Sequence, residues 1–377
     1  TADRPSVTNA LAVIQSYSPW RPSAGVTESG LTIKDLENSD LTYEKKHELN
    51  IGADLGFLDN RINLTVDWYK RDNFDLIGLV MTQGIGGQIQ KYGNVATMKS
   101  RGIEFSLSTK NIKTKDFSWT TDFIYSHMKN EVTKFNTSTR AFNLVSGIGF
   151  SREGYPVNSL FSYDFRGLNE DGVPTFINEA GVLTSTDINF QETERFDNLV
   201  YSGPSEPTDV GSFGNIFQYK GLRLNVFITY SFGNVVRLDP VFSSIYNDLD
   251  AMPREFRNRW MTPGDERYTD VPAIVSSRQV RNDSKLSYAY NAYNYSTARI
   301  AKGDFIRMKE ISLTYDFPKR WIKKLRMSNL ALKIQATNLF LIYADKKLNG
   351  QDPEFFNSGG VATPVPKQFT LTLKIGL

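Results

Sequence analysis

The segment QFTLTLKIGL, residues 368–377, sorts by parity. Phe369, Leu371, Leu373, Ile375 and Leu377 take alternate positions, and Gln368, Thr370, Thr372, Lys374 and Gly376 take the others. Successive side chains of an extended strand point to opposite faces, so this pattern predicts a strand with one apolar and one polar face. The pattern recurs from Lys45 onward. In HELNIGADLGF the apolar row is Leu49, Ile51, Ala53, Leu55 and Phe57. A turn at Asp59-Asn60 follows, and RINLTVDWYKR then carries Ile62, Leu64, Val66 and Trp68 on one side. About eleven strands are predicted: 47–57, 61–76, 98–110, 117–130, 156–167, 173–178, 210–219, 221–235, 304–317, 328–342 and 367–377. The segment 173–178 is among the weaker of them. Within 304–310 the apolar phase shifts between Met308 and Ile311, which predicts a bulge.

Strand length and connector length together narrow the class. Many segments run to about ten residues, longer than the five or six typical of soluble strands and close to the 9–11 of membrane strands. Short connectors at 58–60, 111–116, 168–172, 220 and 318–327 alternate with long ones at 77–97, 131–155, 179–209, 236–303 and 343–366. That asymmetry is the one between periplasmic turns and extracellular loops in an up-and-down outer-membrane barrel. It predicts an all-β, antiparallel transmembrane barrel with long loops outside and the carboxyl terminus in the periplasm. An odd strand count does not close a bacterial single-chain barrel. Residues 45–377 are therefore expected to be part of a larger barrel, and 1–44, rich in Pro, Ser and Gly with no clear strand, the tail of a preceding extracellular loop.

Composition agrees with this class. Of 377 residues 40% are hydrophobic, with a mean hydropathy of −0.37, and no stretch approaches the length of a membrane helix. Barrels escape that criterion because only alternate residues face lipid. A net charge of +3 argues against a nucleic-acid partner. The absence of cysteine removes disulfides, thiolate metal sites and cysteine nucleophiles. The chain opens TADRPSVTNA without a charged-then-apolar leader, so the expectation is that a leader was removed or that the chain starts within a longer protein.

At this point the sequence resembles the SusC/RagA-type TonB-dependent outer-membrane transporters. The resemblance is carried by LENSDLTYE (36–44), ELNIGADLGFLDNRINLTVDWYKRDNFDLI, Gly102-Ile103-Glu104, Gly154-Tyr155-Pro156, Gly167-Leu168 and Asp171-Gly172-Val173-Pro174. In the same order follow YKGLRLNVFITYSFG (219–233), RWMTPGD (259–265), GDFIRMKEISLTYDFP (303–318), ATNLF (336–340), GQDPEF (350–355) and PVPKQFTLTLKIGL. Each motif is weak alone; a dozen in collinear order is specific. The resemblance implies a barrel of about 22 strands with a plugged lumen, of which this chain would be the second half. It implies import of a glycan or peptide nutrient, a SusD-type lipoprotein lid, and energy from the TonB system acting through a plug. The plug and the first barrel half would come from a separate or missing chain, because no part of this sequence resembles them. The family commonly ends in Phe where this chain has Leu377, a departure within the terminal strand read by the assembly machinery.

Candidate ligand contacts are loop aromatics. KLSYAYNAYNYSTAR places Tyr288, Tyr290, Tyr293 and Tyr295 in the longest loop, where the rings would stack on sugars or pack peptide side chains. The competing reading, favoured from the sequence, packs them within the loop or against the lid. DKKLNGQDPEFF (345–356) reads as loop structure. His47 and His127 lack metal-ligand spacing, so no metal and no cofactor is expected. Gly84-Ile85-Gly86-Gly87 lacks the Lys-Ser/Thr of a phosphate loop. Glu170-Asp171 beside Gly172 reads as turn chemistry. Lys319, Arg320, Lys323, Lys324 and Arg326 read as a solvated periplasmic turn with lipid headgroups as the alternative. Trp68, Tyr69, Trp119, Tyr125, Tyr230, Tyr315, Phe317 and Tyr343 are candidates for interfacial girdles. No nucleophile–base arrangement is present, so no enzyme is expected. The rival readings are a plugless passive porin and, further off, a soluble β-rich carbohydrate-binding protein.

Overall fold

The computed structural model describes residues 12–17, 30–35, 37–82, 84, 90–137, 139–146, 151–241, 253–322, 327–356 and 366–376. In chain order the strands are β1 Val13–Tyr17, β2 Gly30–Asp35, β3 Lys45–Phe57, β4 Ile62–Met81, β5 Gln90–Lys113 and β6 Phe117–Phe135. There follow β7 Ser159–Tyr163, β8 Phe165–Leu168, β9 Pro174–Ile177, β10 Leu183–Thr184 and β11 Leu199–Pro204. Then come β12 Asp209–Tyr219, β13 Leu222–Phe232, β14 Val235–Arg237, β15 Ile300–Lys302, β16 Phe305–Asp316, β17 Asn329–Ala344 and β18 Gln368–Gly376. Nine of them form one antiparallel sheet in the order β18-β17-β16-β13-β12-β6-β5-β4-β3.

The ladder registers collect the alternating rows into one continuous face. Leu55 faces Leu64, Leu64 faces Leu107, Leu107 faces Phe123, Phe123 faces Phe213 and Phe213 faces Ile228. On the far side Leu224 faces Leu313, Leu313 faces Ile334 and Ile334 faces Leu371. The other face is polar, with Asp54 bonded to Thr65 at 2.6 Å and Ser108 to Asp122 at 2.7 Å. Register is pinned because a one-residue slip would exchange the two faces. Aromatic rings crowd both ends of the apolar face. Trp119 stacks on Phe217 at 5.7 Å and Tyr315 meets Phe317 at 4.9 Å near the short turns, and Tyr230 meets Phe232 at 5.8 Å at the opposite end. A Cβ added at Gly211 would meet the Tyr230 ring, and one at Gly102 the Tyr69 ring, so each tyrosine covers a glycine on the neighbouring strand.

Two edges of the sheet are open. β3 and β18 each have one hydrogen-bonded neighbour, and all 13 residues of β3 are exposed. The carboxyl-terminal row stands outward, with Phe369 74%, Leu371 70%, Leu373 57% and Ile375 48% exposed; Leu377 lies outside the described residues. The hairpin at Asp59-Asn60 forms through three consecutive left-handed residues, Leu58, Asp59 and Asn60, and the Arg61 amide donates to the Phe57 carbonyl at 3.1 Å. The expected bulge is present: the register shifts between Phe227/Ile228 on one side of β16 and Met308/Glu310 on the other.

Several expectations are corrected. Among the described residues the sheet has nine strands, where about eleven were expected. β6 pairs directly with β12, so 156–167 and 173–178 are not sheet strands but short strands of a lobe inserted after Phe135. The physical reason is burial on both faces: all five residues of β7 are buried, whereas a membrane strand exposes one face. The connector 168–172 is accordingly a turn inside the lobe. Removing two adjacent strands leaves the up-down order of the others unchanged. Much of 77–97 continues the β4–β5 ladder out to Met81 and Gln90. Residues 1–44, expected without a strand, contain the β1–β2 ladder.

The lobe is assembled from the long connectors. Its interior contains Leu144, Val145, Phe161, Tyr163, Phe176, Leu199, Val241, Phe256 and Tyr293. Two turns of the same build flank β9. The Asn169 side chain accepts from the amides of Asp171 and Val173, and Asn178 does the same for Ala180 and Val182. Gly172 and Gly181 take φ of 72° and 76° in the equivalent position. Glu170 and Asp171 are thus exposed turn carboxylates.

Candidate functional site

The helix Leu286–Asn294 presents the predicted tyrosines to different surroundings. Tyr290 and Tyr293 are each 2% exposed and lie inside the lobe. The Tyr290 hydroxyl donates to the Ala273 carbonyl at 2.9 Å, and burial pushes this phenol above its ordinary range. Burial likewise pushes Tyr293 up to about 12, with Arg299 opposing the shift. Tyr293 packs edge-on against Phe165 at 5.6 Å. A stacking platform needs an open ring face, and in this arrangement neither ring has one; both fill the interior. Tyr288 is 49% exposed and touches Phe190 at 6.0 Å. Tyr295 is half-buried, edge-on to the partly exposed Phe142 at 5.9 Å. The structure therefore separates the four: two rings are core, and Tyr288 and Tyr295 reach the surface through aromatic pairs.

Three buried arginines fasten the connectors together, and none was singled out from the sequence. Arg237 donates from Nη2 to the Phe161 carbonyl at 2.7 Å and to Ser162 Oγ at 3.3 Å. Its Nε and Nη1 have no hydrogen-bond partner among the described residues, and the Tyr295 ring lies 5.7 Å from the guanidinium. Burial lowers this guanidinium to about 10, partly offset by Tyr295. Arg299 pairs with Glu255 at 2.5 Å and donates to the Asp239 carbonyl at 2.5 Å. Arg307, on β16, holds Asp352 at 2.5 Å and Glu354 at 3.2 Å. The available signal was a charge inside a short apolar run, as in VVRL, ARIA and FIRM. Its meaning needed the partners, which lie 44 to 76 residues away.

A cleft of about 170 Å³ opens at the rim where β6 rises past β12, lined by His127, Lys129, Pro156, Val157, Tyr201 and Glu206 among others. His127 Nδ1 lies 2.8 Å from the Asp209 carboxylate, which also accepts from Tyr125 at 2.6 Å. His47 instead meets Phe74 edge-on at 5.3 Å. Among the described residues no group of three or more His, Cys, Asp or Glu is placed to hold a metal ion. Lys319 and Arg320 lie in the short helix Lys319–Ile322, whereas Lys323, Lys324 and Arg326 fall outside the described residues, as do Ile85, Gly86 and Gly87.

This sheet, apolar on one face, polar on the other and open at both edges, matches a known class. Residues 7–339 match the family model "TonB dependent receptor-like, beta-barrel", and the chain belongs to that family of outer-membrane β-barrel proteins. Among curated relatives, the TonB-dependent receptor SusC of Bacteroides thetaiotaomicron is 27% identical over 357 residues, covering 90% of this chain and 32% of that protein. The TonB-dependent receptor P3 of Formosa agariphila is 26% identical over 344 residues, covering 86% of this chain and 32% of that one. Among solved structures, that of the RagAB peptide transporter superposes with a TM-score of 0.76 at 25% identity, over 98% of this chain and 39% of that one. The SusC/RagA type of the family is thereby the type to which the chain corresponds. The chain spans about a third of the length of the curated relatives it matches.

Proposed function

We propose that this chain forms the carboxyl-terminal part of the barrel of an energised outer-membrane importer. The observation that carries the proposal is the predominantly apolar face shared by nine registered strands, ending in two open edges. Exposed to lipid, each unpaired backbone group at those edges would cost several kcal/mol. A complementary set of strands supplied by the rest of the transporter removes that cost. The short turns then lie in the periplasm and the lobe outside. The exposed row Phe369, Leu371, Leu373 and Ile375 becomes the outward face of the strand that closes the barrel and guides its assembly.

The cargo is an oligomeric nutrient, a peptide or a glycan, and a lipoprotein of the SusD type covers the lobe. The likeness to the RagAB peptide transporter supports the peptide half of this reading, and the likeness to the TonB-dependent receptor SusC supports energised import. TonB acts through the plug of the whole transporter. Tyr288 and Tyr295, the two of the four loop tyrosines that are not core, would touch cargo or lid. The test is uptake by cells expressing the whole transporter, fed labelled oligopeptides or oligosaccharides with and without TonB. Uptake of either class that vanishes without TonB supports the proposal. Uptake indifferent to TonB, together with steady conductance in planar bilayers, would establish the passive porin instead.

A further inference from the structure

We propose that Lys70, Arg101 and Lys129 form a ledge that binds the phosphate of a lipid headgroup in the leaflet on the long-connector side; the proposal rests on the membrane reading above. The three residues are direct cross-strand neighbours: Lys70 faces Arg101 on β4 and β5, and Arg101 faces Lys129 on β5 and β6. By parity they continue the apolar rows, one step beyond Trp68, Ile103 and His127. All three are exposed. Among the described residues the ion pairs at this end of the sheet are made by other side chains: Lys45 with Asp75, Glu48 with Lys46 and Arg71, Asp209 with His127, and Arg307 with Asp352 and Glu354.

Directly opposed residues on a sheet lie about 5 Å apart, and like charges there repel. The next row outward alternates in sign, with Lys99 between Asp72 and Glu131, whereas the ledge is wholly cationic. On the other side of the sheet the outward residues at this end are Tyr230, Ile306 and Tyr343, so the charge is confined to one sector. A phosphate seated between the three turns repulsion into attraction, with the Arg101 fork matching its oxygens. Lysine stems lie along apolar surface while their ammonium groups reach the headgroup layer, the level at which Trp68 (39% exposed) marks the end of the apolar belt.

The experiment reconstitutes the whole transporter in phosphatidylcholine nanodiscs doped with a bis-phosphorylated lipid and counts retained lipid by native mass spectrometry. The variant K70Q/R101Q/K129Q is compared with R223Q/K333Q/K374Q, which removes equal charge from the polar face. Retention falling at least about tenfold in the first and not in the second supports the ledge. R101Q alone, expected to lose about threefold, serves if the triple variant fails to fold. Equal retention in both triple variants overturns the ledge, as does displacement of the lipid by inorganic phosphate, which would make this a site for free anions. Failure of the wild type to enter nanodiscs overturns the membrane reading and the ledge with it, and is visible before any variant is made.

Discussion

Arg307 on β16 holds the Asp352 carboxylate of the β17–β18 connector at 2.5 Å, with 5% and 9% of the two side chains exposed. The pair ties the rim of the sheet to a segment 45 residues away in sequence. Removing Arg307 leaves the Asp352 carboxylate buried without its cation, at about 3–5 kcal/mol, whereas removing the Asp352 charge costs less because Glu354 still holds the guanidinium at 3.2 Å. Asp352→Asn and Arg307→Gln are each expected to render 345–356 sensitive to protease in the folded protein. The double variant should recover part of the loss in a thermal melt; strict additivity would show that the pair is not coupled.

Tyr288 and Tyr293 should behave oppositely although they lie on one short helix. Tyr293→Ala empties the lobe interior and is expected to cost about 3–5 kcal/mol, read as a lowered melting temperature. Tyr288→Ala should leave the melt within about 1 kcal/mol of wild type while reducing uptake. Unchanged uptake of both cargo classes would remove Tyr288 from the contact surface.

The buried phenols make the lobe sensitive to alkali. Tyr293 is raised from 10 to about 12 by burial, so the folded state favours the protonated ring. The stabilisation is complete below pH 10 and lost as pH rises through about 12. Tyr290 and Tyr163 shift in the same direction through burial. Tyr293→Phe is expected to flatten one share of the decline in melting temperature across that window. A slope identical to wild type would mean that this hydroxyl ionises without unfolding the lobe.

Leu371 and Thr372 are adjacent on β18 and point to opposite faces. Leu371→Arg places a charge in lipid, at about 2–4 kcal/mol near the membrane midplane, whereas Thr372→Arg faces the lumen at little cost. Heat-modified mobility of outer-membrane fractions should show a lowered folded fraction for the first variant alone. The reverse result would invert the assignment of faces.

Gly211 sits under the Tyr230 ring and beside the Ile124 carbonyl, both in the way of an added Cβ. Gly211→Ala is expected to lower stability by about 1–3 kcal/mol through overpacking. Pairing it with Tyr230→Ala should restore little, because the backbone carbonyl remains in place.

What the amino-acid sequence determined by itself is the set of properties that depend on a strand's own geometry. A period of two defines both faces of β3, β4, β13, β16 and β18 before any partner is known, and the phase slip after Met308 announces the bulge. The open edges were legible as an odd strand count, although the number was eleven rather than nine. Phe161, Tyr163 and Phe165 alternate as cleanly as any sheet strand, yet they lie in the lobe. Alternation describes one segment, whereas burial on both faces depends on what packs against it. Tyr288 and Tyr293 read alike in sequence and differ only because the lobe closes over one of them. The arginine partners Phe161, Glu255 and Asp352 were beyond reach for the same reason: a buried charge is satisfied by groups far away along the chain, and only the tertiary structure selects them.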